Sequence, residues 1–328
     1  MYTGPTALRS VLYPKYLEYC LGERYDLGKW DECLFWLRGL NDTYRIKTSS
    51  GYYILRVYRL SVCEADVAYE VSLLNELEIK LSAVTTTKVS EPITQLDNRS
   101  YTVIEAPEGK RAAVIFRYID GKENVLQVEA SCFAFGKSAA ELHTAMDRLT
   151  IDLPRYEVDT YFLIKQPYER IVNYIGENHQ AVPFLRQFAD ALEERIVAAA
   201  KCGLDWGICH GDMHGNNNAF QEGVQWTHYD FEWAAKGWRA YDLAQVKGRK
   251  RQLTEKKEVL WNAFISGYRS VRALSEQDES AIDLFMIARR LWVMGLEVTL
   301  IPNDFGVLDY SEDWLDGFIQ EFRSYNMV

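Results

Sequence analysis

The 328-residue chain has no uncharged apolar run approaching the ~18 residues that a spanning helix needs. Between Met1 and Pro14 there is no basic head followed by an apolar stretch, so no export signal is evident. The cytoplasm is the default expectation, with no membrane partner. Basic residues are in the minority. The 37 Lys and Arg against 47 Asp and Glu leave a formal charge of −10, which repels phosphate backbones and argues against a nucleic-acid partner. The six cysteines form no Cys-x-x-Cys pair. Neither a zinc knuckle nor a disulfide framework is therefore expected, and buried, reduced thiols are. Internal repeats and low-complexity segments are also lacking. What is present is an ordinary globular composition, 48% hydrophobic and 26% charged, at a length that suits two lobes.

Short alternating runs dominate the first part of the chain. Tyr44 to Thr48, the turn residues Ser49, Ser50 and Gly51, and the β-branched and aromatic run Tyr52 to Arg59 predict a hairpin. Cys33 to Leu40 predicts a strand before it. Tyr101 to Ala106 and Ala112 to Ile119 predict two more after it. Val67, Val71, Leu74, Leu77 and Leu81 recur at helical spacing, which predicts one helix over 65–81. Beyond Asp120 and Gly121 the patterns are mainly helical, around 132–142, 185–199, 239–248, 255–272, 276–300 and 311–324. Cys209 to Phe220 is too polar for a helix, and Gln225 to Tyr229 suits a short strand. The fold class is thus α+β, with a small β-rich N-terminal lobe and a larger, mainly helical C-terminal lobe.

Reactive side chains concentrate in one place. His210-Gly211-Asp212-Met213-His214-Gly215-Asn216-Asn217-Asn218 is followed by Thr227-His228-Tyr229-Asp230-Phe231-Glu232. Two carboxylates and an Asn beside tight turns suit Mg²⁺, a hard cation that takes oxygen ligands from one or two protein groups plus phosphate. Asp212 precedes Asn217 at the spacing of a kinase catalytic loop, and Asp230-Phe231 stands where Asp-Phe-Gly would follow.

His210-Gly211-Asp212-Met213-His214-x-x-Asn217, then Asp230-Phe231-Glu232 and Tyr241-Asp242-Leu243-Ala244, resembles the aminoglycoside phosphotransferase and choline kinase family. These are small-molecule kinases on a protein-kinase-like fold. The resemblance runs from about residue 30 to about 300. It implies a nucleotide-binding N-lobe of antiparallel sheet plus helix over 1–117 and a C-lobe over 118–328 with the catalytic loop and acceptor-binding helices. It implies ATP and Mg²⁺ as cofactors and a small hydroxylated acceptor, cationic ones included. Asp212 would orient or deprotonate the acceptor hydroxyl, and Asn217 and Asp230 would hold Mg²⁺. His210, His214 and Asp242 would support the loop. Arg56 stands where the family has a phosphate-contacting Lys, with Glu70 as its partner. Ile54 shares the strand face of Arg56 and would line the adenine. Asn41 lies in the turn expected over the phosphates, and Phe116 and Tyr118 lie in the expected lobe connection. Glu232, Trp233 and Trp238 follow the metal segment and would wall the acceptor. The acidic stretch Asp304, Asp309, Glu312, Asp313 and Asp316, with Trp314, is a further acceptor-binding option beside a plain solvated face.

Other readings stay open at this level. The same fold could phosphorylate protein Ser or Thr, as bacterial stress-response kinases resembling this family do. His210, Asp212 and His214 with Asp230 could instead hold a transition metal in a hydrolase. A non-catalytic nucleotide-binding module is a further possibility. The acceptor, ATP against GTP, and oligomeric state are not written in the sequence.

Overall fold

The computed structural model describes residues 6–123, 125–221, 225–249, 254–307 and 310–328. Asp309 of the acidic stretch lies outside them. In chain order the first elements are α1 (Pro14–Leu21), β1 (Trp30–Arg38), β2 (Asp42–Thr48), β3 (Gly51–Val57), α2 (Glu64–Leu81), β4 (Thr87–Val89), β5 (Thr102–Ala106) and β6 (Gly109–Arg117). Then come α3 (Glu129–Met146), β7 (Glu157–Val158), α4 (Gln166–Ile175), α5 (Val182–Ala200), β8 (Trp206–Cys209), β9 (Asn218–Gln221), β10 (Gln225–His228) and β11 (Ala235–Trp238). The helices α6 (Arg239–Lys247), α7 (Lys257–Arg269), α8 (Glu276–Leu300) and α9 (Glu312–Ser324) follow. No described helix is long and apolar enough to cross a membrane.

The chain divides into two compact units, each discontinuous in sequence. The first comprises Met1–Glu123, Arg148–Arg155 and Asn218–Glu232. Its five-stranded sheet has the order β1-β2-β3-β6-β5, antiparallel throughout. Alternation on β3 decides which side chains face where. Tyr53, Leu55 and Val57 enter a core with Leu17 and Leu21 of α1, Tyr44 and Ile46 of β2, and Ile115 of β6. Ile54 and Arg56 therefore point to the opposite face, where α2 supplies Glu70. The β1–β2 turn is anchored from below by a buried ion network. Asp42 meets Arg111 at 2.7 Å and Arg9 at 3.1 Å. Arg111 also bonds the carbonyls of Val57 and Tyr58. A second, three-stranded sheet joins β4 parallel to β10 and β10 antiparallel to β9.

The second unit comprises Asn124–Asp147, Tyr156–Asn217 and Trp233–Val328. It is mainly helical, with a small sheet of order β7-β11-β8. α3 and α7 meet through two glycines. A Cβ on Gly136 would collide with the Phe264 carbonyl, and one on Gly267 with the Phe133 carbonyl. Hydrogen there lets the two backbones approach to contact. α8 starts cleanly, because Ser275 is its N-cap and its hydroxyl accepts from the Asp278 amide at 3.0 Å.

Candidate active site

The loop after β8 carries Asp212 in the second unit. Its turn is set by Gly211, with φ of +79°, where a Cβ would strike the Trp233 carbonyl. The loop is pinned from α6. Buried Asp242 accepts from the His210 amide at 2.6 Å and the Gly211 amide at 2.9 Å. His143 of α3 stands behind it, with Nε2 3.0 Å from Asp242 Oδ2 and Nδ1 2.9 Å from the Tyr268 hydroxyl. Burial pushes the His143 pKa down, against the pull of Asp242, so the ring is neutral. Burial pushes Asp242 upward, but the hydrogen bonds from His143 and the loop amide outweigh it and hold the carboxylate below its usual range. A chain of buried side chains thus fixes two successive backbone N–H groups at the start of the Asp212 loop.

Asp212 shares its carboxylate among three neighbours. Oδ2 accepts from Asn217 Nδ2 at 2.8 Å and lies 3.4 Å from His214 Nε2, while Oδ1 meets Arg289 Nη2 at 2.5 Å. Burial raises the Asp212 pKa, but the Arg289 guanidinium and His214 more than reverse this and hold it well below the usual range. Asn217 Nδ2 also donates to the Asp212 carbonyl at 3.0 Å, so the amide oxygen is turned away from Asp212. His210 Nδ1 accepts the Asp212 amide at 3.2 Å, and His214 Nδ1 accepts the Asn216 amide at 3.3 Å. Both histidines therefore brace the loop locally.

The first unit carries a separate constellation. Arg56 Nη1 lies 3.1 Å from Glu70 and 3.0 Å from Asp230, and its guanidinium sits over the Phe116 ring. Glu70 also accepts from the Tyr58 hydroxyl at 2.8 Å. Burial pushes the Glu70 pKa up to about 7, against the opposing pull of Arg56. Burial works against the Arg56 cation as well, but Asp230 and the other acids around it raise its pKa further. Asp230 has φ of +66°, the left-handed region that a non-glycine residue adopts at a cost. Its carboxylate remains 34% exposed. Ile54 pairs with Phe116 across β3 and β6, on the Arg56 face, and Tyr118 packs on Tyr52. Asn41, in the β1–β2 turn, is buried and donates to Glu232 at 2.5 Å. Glu232 also pairs with Arg59. Asn41 and Glu232, expected over the phosphates and at the acceptor, thus meet each other inside the first unit.

Among the acceptor candidates, Trp233 packs edge-on against Trp292 at 4.9 Å and backs Gly211. Trp238 packs on Trp206 and Phe285. Trp314 donates to Glu297 at 2.9 Å and packs among Tyr174, Tyr310 and Phe318. The sequence patterns single out neither Arg289 nor His143 for this group. Both lie on helices far along the chain from Asp212 and Asp242, where no local spacing marks them.

The Asn217 side-chain amide on the second unit and the Asp230 carboxylate, 34% exposed on the first, are each hard-oxygen donors of the kind that Mg²⁺ takes beside phosphate. Among the described residues, no group of three His, Cys, Asp or Glu could hold a metal ion. Such a group is what a transition-metal hydrolase would require.

A five-stranded antiparallel sheet with an Arg on β3 paired to a Glu on α2, and a mainly helical unit carrying an Asp–Asn loop, match the fold of protein-kinase-like small-molecule kinases. Solved structures share that fold. The microcompartment-associated aminopropanol kinase superposes with a TM-score of 0.69 at 20% identity, covering 86% of this chain and 88% of that one. The amicoumacin kinase hAmiN, in complex with AMP-PNP, Ca²⁺ and amicoumacin, gives 0.75 at 16% identity over 95% and 93%. The model of the phosphotransferase enzyme family matches residues 37–274, and the chain belongs to that family. It is a phosphotransferase with an alcohol group as acceptor. An uncharacterised protein of Deinococcus radiodurans is 35% identical over 88% of this chain and 83% of its own length. A homoserine kinase of Neisseria meningitidis serogroup B is 26% identical over 83% of this chain and 85% of its own length.

Proposed function

We propose that the chain is a cytoplasmic, ATP- and Mg²⁺-dependent kinase. It transfers the γ-phosphoryl group to the hydroxyl of a small metabolite of the amino-alcohol, amino-sugar or hydroxy-amino-acid kind. The observation that carries this reading is Asp212, held on a pinned loop with the Asn217 amide fixed against it. In this reading Asp212 aligns the acceptor hydroxyl. The acceptor oxygen bonds to the γ-phosphorus, the bond to the bridging oxygen breaks and ADP leaves. The hydroxyl proton passes to Asp212. A carboxylate held so far below its usual range takes that proton late, so its first work is orientation. Asn217 and Asp230 are assigned to Mg²⁺, which supplies charge neutralisation at the phosphate oxygens when bound. Arg56, set by Glu70, is assigned to the phosphates, Ile54 and Phe116 to the base, and Tyr118 to the lobe connection. His210, His214 and Asp242 keep the loop in place.

Thermal melting and turnover test the reading together. ATP should raise the melting temperature only when Mg²⁺ is present, and EDTA should abolish the shift. ATP consumption should then depend on a hydroxylated acceptor in a panel of amino sugars, amino alcohols and hydroxy amino acids, and not on a generic protein. ATP that neither stabilises the chain with Mg²⁺ nor turns over with any acceptor would refute it.

A further inference from the structure

β1 lies at one edge of the five-stranded sheet, and among the described residues no strand pairs with its outer side. The opposite edge is guarded. There the Tyr101 carbonyl accepts from Gln95 Nε2 at 2.6 Å, and the Glu105 carbonyl of β5 accepts from the Tyr16 hydroxyl at 2.8 Å. Side-chain caps of this kind blunt an edge against further pairing. No described side chain caps the outer edge of β1 in this way. Instead Leu34, Phe35, Trp36 and Leu37 follow one another along it, each between 41% and 48% exposed. Trp36 has no partner residue in β2, because the register shifts between Phe35 and Leu37. An unpaired strand bearing a run of exposed large apolar side chains marks an interaction surface.

The charges around that run select the occupant. Asp31 and Glu32 precede it and Arg38 follows it. Asp31 is exposed and has no cation against it among the described residues. Glu32 gives Arg45 only Oε1, at 3.0 Å, and Arg38 holds Asp42 through Nε alone, at 3.2 Å. One oxygen of Glu32 and both Nη groups of Arg38 are thus left for an outside partner. A strand that reads acid, apolar, base is complementary to itself turned end for end. In an antiparallel pair whose two-fold axis passes at Phe35, Phe35 meets its own copy, Leu34 meets the partner's Trp36 and Glu32 meets the partner's Arg38. Aromatic and opposite-charge pairs across strands are the ones that stabilise a sheet. Trp36 is already steadied for this by Arg45, whose guanidinium lies 4.7 Å from its ring centre.

We propose that the outer edge of β1 docks a second copy of this chain, by antiparallel β1–β1 pairing that joins two five-stranded sheets edge to edge. Main-chain hydrogen bonds supply the affinity, and the side chains fix the register. The contact is isologous, so each copy uses this edge once and the assembly closes at a dimer. A single strand pair falls among the small interfaces, below about 1,200 Å² in total, so the dimer forms in a concentration-dependent way. The inference does not depend on the kinase reading.

Analytical ultracentrifugation of the full chain over a concentration series tests this. The parent should shift from monomer to dimer as concentration rises, and go no further. Glu32→Arg and Arg38→Glu each turn both facing pairs into like charges and should weaken the dimer at least about tenfold. Mixed in equal amounts, the two variants should form a heterodimer near parent affinity, because every facing pair is then opposite in charge. A parent that stays monomeric at every concentration overturns the proposal. So does a dimer that both variants leave as strong as before, or a mixture that associates no better than either variant alone. If Arg38→Glu disturbs the turn through Asp42, seen as a lowered melting temperature, the parent series and Leu37→Lys still decide. Leu37→Lys puts a charge into the apolar run and should weaken the dimer by at least as much, and an unchanged dimer in that variant also overturns the proposal.

Discussion

Asp212 is the residue whose surroundings say most about its use. A carboxylate held by an arginine, a histidine and an amide stays ionised across the working pH range and is aimed rather than mobile. Asp212→Asn keeps the shape and removes the charge. Turnover should fall about 10²–10⁴-fold, the usual worth of a positioned acid–base group, while the Mg-dependent ATP melting shift stays near normal. Parent-level turnover in that variant would remove Asp212 from the reaction. The Asp212–Asn217 pair was legible in the sequence because both ends lie in one loop and their spacing is local. Arg289 was not. It reaches Asp212 across 77 positions, and only the packing of α8 on α6 brings it there. The Arg56–Glu70 pair is intermediate. Strand alternation and helix phase point each side chain, but the third member, Asp230, arrives from a distant segment.

Elements with strong periodicity were readable to within about four residues at each end. The hairpin of β2 and β3, the strands β5 and β6, and the helices α2, α3, α5 and α8 fall where alternation and helical spacing place them. The short strands β4, β8, β9 and β11 were not readable. At three or four residues each they carry too little pattern, and partners remote in sequence define β4, β8 and β11. The close approach of α3 and α7 also hides from pattern, because a glycine inside a helix reads only as a weak former. Gly136→Ala should cost about 1–3 kcal/mol or more in urea unfolding, since the added methyl meets backbone that cannot rotate away. A loss of only a few tenths would mean that the helices part easily.

At the scale of the molecule, the buried His143–Asp242 pair ties the geometry of the Asp212 loop to acidity. The His143 pKa is lowered below its ordinary 6.5, so on acidification the unfolded chain takes up the proton first. Stability contributed by the neutral ring is present above pH ~6.5 and drains away as pH falls through that region. Asp242, also lowered, withdraws its share as pH falls below about 3.8. The melting temperature should therefore decline on the acid side of neutrality, and His143→Gln should flatten that decline around pH 6. An unchanged profile in the variant would place the sensitive group elsewhere. The two-lobed character was legible in composition and pattern. The return of residues 218–232 to the first unit was not, because nothing local in β10 names β4 as its partner.

That return has a temporal side during synthesis. β4 lies alongside β10, Thr87 opposite Trp226, so its ladder is completed only when a segment far downstream leaves the ribosome. At translation rates of about 5–20 residues per second, that edge waits for roughly 7–28 seconds. Nascent chains arrested before Asn218 should be cut more readily around residues 84–90 than chains released at full length, as limited proteolysis of stalled complexes would reveal. Equal cutting of the two would mean that the edge is shielded by other means while it waits.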